Sequence, residues 1–243
     1  MLELPGIIAH RGESASAPEN TIAACELALN NGASWVEVDV NISRDGELFL
    51  HHDDGIERCT NGTGYLVQKS HDELRSLDAG SWFNKSFAGE KLGTLEELIE
   101  LLAANNGGLN LEVKPTPGWE YPLVDAVCNR IRNNWPQNVP LLVSSFSPLA
   151  LEKLRKQLPD VQLGLLVSAI PDDWQAWMQR FNCNTFHCAE EFVTKDFCNQ
   201  ANAAGIPVLC YTCNDATRGK ELLSMGVSSI FSDQPSVLAP LLC

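Results

Sequence analysis

The sequence has little positive charge and no long apolar run. It contains 17 lysine and arginine residues against 31 aspartate and glutamate residues, which gives a formal net charge of −14 over 243 residues. A chain this acidic is poorly suited to the phosphates of nucleic acid or to an anionic membrane surface. No apolar run approaches the ~20 residues that cross a bilayer. We therefore expect no nucleic-acid partner and no stable membrane association.

The signals of export and of nucleotide binding are also missing. The opening Met-Leu-Glu-Leu-Pro-Gly has neither the basic nor the apolar region of an export signal, so we expect a cytoplasmic protein. The glycine-rich fingerprints of dinucleotide sites and P-loops are absent as well. No feature of the sequence indicates an oligomeric state.

Cysteine is plentiful but does not suggest a disulfide framework, which belongs mainly to small secreted domains. Its count of nine is odd, and Cys25 and Cys128 fall on predicted helix faces where core residues belong. Cys210 and Cys213 match C-x-x-C, but they continue a predicted strand, and residues three apart on a strand point to opposite faces. We expect reduced thiols rather than a disulfide or a zinc site.

Short apolar stretches alternate with helix-like stretches along most of the chain. Thr94 followed by Glu97 has the spacing of a capping box and predicts the start of one helix. A turn at Arg44-Asp-Gly46 predicts a hairpin whose arm, at 48–52, extends the second strand. The resulting eight strand–helix units predict a (β/α)8 TIM barrel, with a doubly wound open sheet as the alternative. The strands are predicted at 7–10, 35–40, 109–113, 141–145, 163–167, 185–187, 207–211 and 229–231.

Residues 53–93 interrupt this rhythm. About forty residues inside one strand–helix connection are too many for a simple loop. We expect one barrel domain over 1–243 with a small insertion subdomain at 53–93. An insertion that follows a barrel strand lies at the catalytic end of the barrel, so we expect it to wall the pocket and select substrate.

Acidic residues alternate with valines in Trp35-Val-Glu-Val-Asp-Val. On a barrel strand the valines face the outer helices, so Glu37 and Asp39 point into the barrel. Two inward carboxylates are costly unless they share a cation. An edge strand with its acids in solvent shows the same alternation, but the inside of a barrel offers no solvent-facing side.

The segment Leu109-Asn-Leu-Glu-Val-Lys repeats this alternation. It predicts Glu112 as a third carboxylate at the same mouth, with Lys114 one step nearer the rim. Three carboxylates suit a hard divalent cation, Mg²⁺ or Ca²⁺. Zinc would recruit histidine or cysteine instead.

Two histidines stand at predicted strand ends. His10 ends the first strand and His52 ends the hairpin arm. A lone histidine is more often structural than catalytic, but two beside an acidic trio indicate acid–base chemistry. His51 has the opposite parity and is expected to face away, and His71 and His187 are less favoured.

Two cations are predicted at the mouth of this otherwise acidic protein. Arg11 follows His10, and Lys114 follows the second acidic strand. Together with a divalent metal they would hold one phosphate, with arginine as the bidentate donor. This combination favours a metal-dependent site for a phosphate ester.

Several short motifs form an ordered set that runs over nearly the whole chain. The set consists of His10-Arg-Gly, Pro18-Glu-Asn-Thr, Glu37-Val-Asp, His52-Asp, Glu112-Val-Lys and Phe231-Ser-Asp-Gln-Pro. Each motif alone is weak, but the ordered set resembles the glycerophosphodiester phosphodiesterase family.

The resemblance implies a TIM barrel that hydrolyses deacylated phospholipid head groups to sn-glycerol 3-phosphate and an alcohol. It implies a divalent metal on Glu37, Asp39 and Glu112, and acid–base roles for His10 and His52. The nucleophile would be water or the substrate's own 2-hydroxyl, which would give a cyclic phosphate.

One position departs from the family pattern. Tyr211 stands before Thr212 where the family usually has tryptophan. An aromatic wall for the glycerol pocket is still expected at Tyr211. Phe146 is a second candidate for this wall, although a buried core position is the alternative for it.

Two other classes of protein fit parts of the pattern. A phospholipase-like barrel acting on membrane lipid would need exposed apolar loops or a basic surface, which the acidic sequence does not suggest. A non-catalytic metal-binding or ligand-binding barrel would tend to lose a histidine or a carboxylate, and here both histidines and all three acids are present.

Overall fold

Eight parallel strands close into a barrel in the computed structural model, which describes residues 3–242 and only the backbone of 241 and 242. Met1, Leu2 and Cys243, which belong to the predicted domain, lie outside the described residues. The strands are β1 Ile7–His10, β2 Trp35–Ile42, β3 Leu48–Leu50, β4 Gly108–Val113, β5 Leu141–Ser145, β6 Gln162–Val167, β7 Thr185–Ala189, β8 Val208–Tyr211 and β9 Ser229–Ser232.

The order of the strands shows that the sheet is closed. It runs β1-β9-β8-β7-β6-β5-β4-β2, and a further parallel pairing of β1 with β2 joins the two ends. β3 is the exception, because it pairs antiparallel with β2 as the arm of the predicted hairpin. The predicted (β/α)8 TIM barrel is therefore confirmed, and the open sheet is excluded.

Helices connect the strands and cover the outside of the barrel. The predicted capping box is present, since the Thr94 side chain accepts from the Glu97 N–H while the Glu97 carboxylate accepts from the Thr94 N–H. The helices are α1 Ile22–Asn30, α2 His71–Arg75, α3 Leu95–Asn105, α4 Glu120–Asn134, α5 Pro148–Gln157, α6 Trp174–Phe181, α7 Lys195–Ala203, α8 Ala216–Met225 and α9 Pro235–Leu242. No helix of the described range is both long and apolar enough to cross a membrane.

Apolar side chains fill both sides of the barrel wall. On the outside, Val36, Val38 and Val40 pack against the helices in one large cluster. Inside, a smaller apolar layer closes the end opposite the carboxyl ends of the strands. Gly108 leaves room for the Trp35 indole in this layer, since a Cβ at position 108 would lie 2.2 Å from the indole. This layer comprises Ile8, Trp35, Leu142, Leu209 and Phe231. The other end of the barrel is left for polar groups.

Residues 53–93 fold against β3. They include α2 and two short 3₁₀ turns, Leu66–Gln68 and Lys85–Phe87. A small apolar cluster, distinct from those of the barrel, holds the segment together; it consists of Phe49, Ile56, Leu66, Leu74, Ala79 and Leu92. The segment is therefore anchored to the hairpin arm by its own buried residues.

The cysteines are thiols in all eight described cases. The expectation that Cys213 continues the strand is wrong, because β8 ends at Tyr211 and Cys213 lies in the loop that follows. The opposite-face argument therefore does not apply to this pair.

Candidate active site

A cavity of about 340 Å³ opens at the carboxyl ends of the barrel strands. A larger groove, about 540 Å³, lies beside α3 and α4, but it is lined mainly by residues of the hairpin and of these helices and lacks the acidic trio. The smaller cavity is lined by His10, Arg11, Glu37, His52, Asn110, Glu112, Lys114, Phe146, Leu166, Ser168, His187, Tyr211, Thr212 and Phe231. The four predicted catalytic and phosphate-binding side chains, the two predicted aromatic side chains and two of the three acids thus border one cavity, and the third acid, Asp39, lies beside them.

Three carboxylates meet at one side of this cavity. Glu37 and Asp39 project inward from β2, and Glu112 projects from β4, where it is the register partner of Asp39. One oxygen of each lies within 4.8 Å of the others. Within residues 3–240 this is the only group of three or more histidine, cysteine or acidic side chains placed in this way.

The carboxylates carry opposing pKa shifts. Burial raises the pKa of Glu37 well above its usual value, and the charges of Asp39 and Glu112 add to this effect. Burial and the Asp39 charge raise the pKa of Glu112 to about 7. Burial would raise the pKa of Asp39 too, but Arg11 and other cations hold it below its usual value. The trio therefore needs additional positive charge to ionise completely, and its oxygen-only donors fit a hard divalent cation.

Asn20 fixes the orientation of Asp39. Its side-chain N–H donates to Asp39 Oδ2 at 2.8 Å, and its Oδ1 accepts from the Asp39 backbone N–H at 3.0 Å. Asn20 adopts a left-handed backbone (φ 56°), a conformation that asparagine tolerates better than most residues. The sequence alone gives Asn20 no role, although Asn20 lies in the motif Pro18-Glu-Asn-Thr.

His10 is oriented by a carboxylate from the far end of the chain. Its Nδ1 lies 2.6 Å from Asp233 Oδ1. Burial would raise the pKa of Asp233, but the hydrogen bond from His10 is the main opposing effect and the pKa is lowered to about 2. Because this carboxylate is ionised and can only accept, the His10 Nδ1 carries a proton. The other ring nitrogen, Nε2, lies 3.9 Å from Glu37 Oε2 at the cavity.

His52 has the same arrangement. Its Nδ1 lies 2.6 Å from Asp53 Oδ1. Burial would raise the pKa of Asp53, but hydrogen bonds from Arg58 and His52 hold it well below its usual value. Burial also lowers the pKa of His52 below 6.5. Its neighbour His51 faces away from the cavity, as its parity predicts, and its Nε2 bonds the Gly55 carbonyl at 2.9 Å.

The two cations reach the cavity from opposite sides of the acidic trio. Arg11 has a left-handed backbone (φ 55°), and its backbone N–H donates to Glu37 Oε2 at 3.1 Å. Its guanidinium bonds Glu19 at 2.7 Å and lies 3.2 Å from Asp39. The Lys114 Nζ lies 3.3 Å from a Glu112 oxygen. Both cations are therefore held beside the carboxylates of the trio.

Aromatic rings form one wall of the cavity. Phe146 and Tyr211 meet edge to face with centroids 6.0 Å apart, and the Tyr211 hydroxyl donates to the Val167 carbonyl at 2.7 Å. The core alternative for Phe146 is wrong, since 40% of this residue is exposed. The expected wall from 53–93 is also wrong, because no residue of that segment lines the cavity.

The two less favoured histidines differ in their placement. His187 lies fully buried at the inner end of the cavity, with Nε2 2.8 Å from Thr185 Oγ1. Burial lowers its pKa to about 3, so it is neutral at ordinary pH. Its ring requires Gly164, where a Cβ would lie 2.6 Å from the His187 Nε2. His71 lies on α2 beside Phe49 and does not border this cavity.

Known proteins resemble this chain in sequence and architecture. The model of the glycerophosphoryl diester phosphodiesterase family matches residues 10–237. A glycerophosphodiester phosphodiesterase of Caldanaerobacter subterraneus subsp. tengcongensis is 31% identical over 237 residues, which cover 96% of this chain and 95% of that protein.

Solved structures agree with this match. A phosphodiesterase from Oleispira antarctica, solved in complex with its product sn-glycerol-3-phosphate, is 39% identical and superposes with a TM-score of 0.96 over 98% of this chain and 97% of that one. A glycerophosphodiester phosphodiesterase from Agrobacterium tumefaciens is 26% identical, with a TM-score of 0.77 over 98% of this chain and 100% of that one. The chain therefore belongs to the glycerophosphoryl diester phosphodiesterase family and is a phosphodiester-hydrolysing enzyme.

Proposed function

We propose that this enzyme hydrolyses glycerophosphodiesters to sn-glycerol 3-phosphate and an alcohol in a reaction that depends on a divalent metal. The observation that carries the proposal is the pairing of two histidines, each oriented through Nδ1 by an aspartate, with a buried trio of carboxylates at one cavity. Family membership and the product complex of the Oleispira relative support the same reaction.

Glu37, Asp39 and Glu112 would hold the metal. Their oxygens suit either Mg²⁺ or Ca²⁺, and the raised pKa values of Glu37 and Glu112 supply the reason that a cation is needed. When bound there, a divalent cation supplies Lewis-acid stabilisation of negative charge on a phosphate oxygen. Asn20 keeps Asp39 in the orientation that such binding needs.

His10 and His52 would move the protons. In each ring the aspartate fixes the tautomer, so that Nδ1 carries a proton and Nε2 is the nitrogen available for exchange. One histidine accepts the proton of the attacking hydroxyl, and the other protonates the departing alcohol. The lowered pKa of His52 keeps it neutral at pH 7, which suits a base at the start of the reaction.

Arg11 and Lys114 would neutralise the phosphate. Each has donor atoms beside the acidic trio and lines the cavity, so both can bond oxygens of one phosphate. Phe146 and Tyr211 would pack against the glycerol carbons. The proposed enzyme is a single domain over 1–243 with 53–93 as its insertion, acts on a small-molecule partner and is located in the cytoplasm.

Release of glycerol 3-phosphate tests the proposal directly. Purified protein treated with EDTA is incubated with glycerophosphocholine, with or without Mg²⁺ or Ca²⁺. We expect product only when a metal is added. Equal product without metal would refute the metal dependence, and no product from glycerophosphocholine or glycerophosphoethanolamine would refute the substrate class. Activity on membrane lipid alone would favour a lipase-like barrel.

A further inference from the structure

Arg58, which belongs to residues 53–93, bridges two acids that each hold a side chain of the site. Its Nη1 and Nη2 donate to the two oxygens of Glu19 at 2.6 and 2.9 Å, and its Nε donates to Asp53 Oδ2 at 2.6 Å. The same Glu19 accepts from Arg11 at 2.7 Å, and the same Asp53 bonds His52 at 2.6 Å. The Arg58 guanidinium thus connects Glu19, which holds Arg11, with Asp53, which holds His52.

The backbone around Arg58 is fixed by buried neighbours. Ile56, Cys59 and Thr60 are buried, and the Thr60 hydroxyl donates to the Ile56 carbonyl at 2.6 Å. The Arg58 side chain is 44% exposed, but its fork spans two carboxylates whose own exposure is smaller. A planar fork with bidentate geometry fixes direction as well as charge, which an ammonium group does not.

The geometry points to Arg58 as the positioning residue that keeps Arg11 and His52 in productive orientation. This inference rests on the proposed function, in which both of those side chains act on the phosphodiester. Without Arg58, Glu19 and Asp53 would face each other with no cation between them, and each could turn away from its partner. The segment 53–93 would then serve the site through Arg58, although it does not line the cavity.

A purely structural role for Arg58 would be to clip the segment onto the barrel. Arg44 is the matched control for that role. It donates to the Gln68 carbonyl at 3.0 Å and to Glu73 at 3.2 Å, so it also fastens this segment to the hairpin, and it does not border the cavity. Arg44→Met therefore removes an attachment of residues 53–93 to the hairpin and leaves the contacts of Glu19 and Asp53 in place.

The experiment compares Arg58→Met, Arg58→Lys and Arg44→Met with the wild type on glycerophosphocholine at saturating metal. Misplacement of reacting groups by about 1 Å costs on the order of 100-fold in rate. We expect Arg58→Met to lower kcat about 10- to 100-fold with metal affinity unchanged by calorimetry. Arg58→Lys should recover part of the loss, and Arg44→Met should keep kcat within about twofold of the wild type.

A second measurement reads the position of His52 without turnover. In protein labelled on histidine, we expect one sharp ring signal for His52 in the wild type and in Arg44→Met, and a doubled or broadened signal in Arg58→Met. An unchanged signal in Arg58→Met, or a kcat loss shared equally by Arg44→Met, would overturn the inference. If the wild type itself released no product, the proposed function would fail, and the ring signal would still decide the role of Arg58.

Discussion

Replacing Asp233 by asparagine should impose the wrong tautomer on His10. The reason lies in Asn214, whose Oδ1 accepts from the Ser232 hydroxyl and from the Asp233 backbone N–H, both at 2.9 Å. These two bonds fix the Asn214 amide so that its Nδ2 donates to Asp233 Oδ2 at 2.7 Å. In Asp233→Asn the new oxygen must stay opposite that donor. The new NH₂ then faces the His10 Nδ1, which has to become an acceptor and leaves the ring proton on Nε2.

The size of the effect follows from the role of His10. A ring with its proton already on Nε2 cannot accept one there, so the general acid–base contribution of about 10²- to 10⁴-fold is lost. This corresponds to about 3–5 kcal/mol of transition-state stabilisation. We expect Asp233→Asn to lower kcat for glycerophosphocholine by that factor, with the melting temperature and metal affinity little changed.

Asp215, which directly follows Asn214, provides a matched control. Asp215 caps α8 by accepting from the Arg218 N–H at 2.8 Å and does not touch His10. Asp215→Asn should therefore change stability slightly and leave kcat alone. If Asp233→Asn retained more than a tenth of the wild-type kcat, the tautomer argument would be wrong, and His10 would not need a fixed Nδ1 proton.

Three further predictions follow from the site. His52→Ala should lower kcat by about 10²- to 10⁴-fold in steady-state assays, whereas His71→Ala, on the surface of α2, should not, and equal rates for both would remove His52 from the mechanism. Glu112→Gln should weaken metal binding, measured by calorimetry, by more than the roughly 10- to 100-fold typical of a residue that only hydrogen-bonds a ligand. Glu120→Gln is the control and should bind metal like the wild type. Equal metal affinities for the two variants would refute the assignment of Glu112 as a ligand. The pKa of His187, about 3, lies below the ordinary value of 6.5. Between these two pH values the unfolded chain binds a proton at this histidine and the folded chain does not. The free energy of unfolding therefore falls as the pH is lowered. At pH 5 the loss is about 2 kcal/mol, and urea unfolding of His187→Gln at pH 5 and 7 should show a smaller pH effect than the wild type; an identical effect would contradict this assignment.

The inward direction of the acids could be read from the sequence because it depends on strand parity alone. In β2 the valines occupy every second position, and once the barrel is recognised, parity places Glu37 and Asp39 inside. The same logic found Glu112 on β4. Parallel register then brings the three together, since Asp39 pairs with Glu112 across adjacent strands.

The side chains that hold the catalytic and phosphate-binding groups in place could not be predicted from strand parity, because they lie in loops. Asp233 reaches His10 across 223 residues of sequence, and Arg58 reaches Glu19 across 39. No periodicity links a loop residue to its partner, so such pairs are decided only by how the barrel closes. The motifs quoted for the family resemblance did contain Glu19, Asn20 and Asp233, but without contacts a motif gives no role.

Residues 53–93 show how the loop side chains behind the site, unlike the strand side chains that line it, matter for catalysis. The length of this segment and its place after β3 correctly indicated that it lies near the site. The wall of the cavity that the segment was expected to form comes instead from Phe146 and Tyr211. The segment instead supplies Asp53 and Arg58, which lie behind His52 and Glu19. Side chains behind the reacting groups set tautomer and direction, and these decide whether a histidine can act at all. Substitutions in this segment should therefore change kcat more than they change which alcohol is accepted, and comparing kcat/KM for choline and ethanolamine diesters in Arg58→Lys tests that expectation.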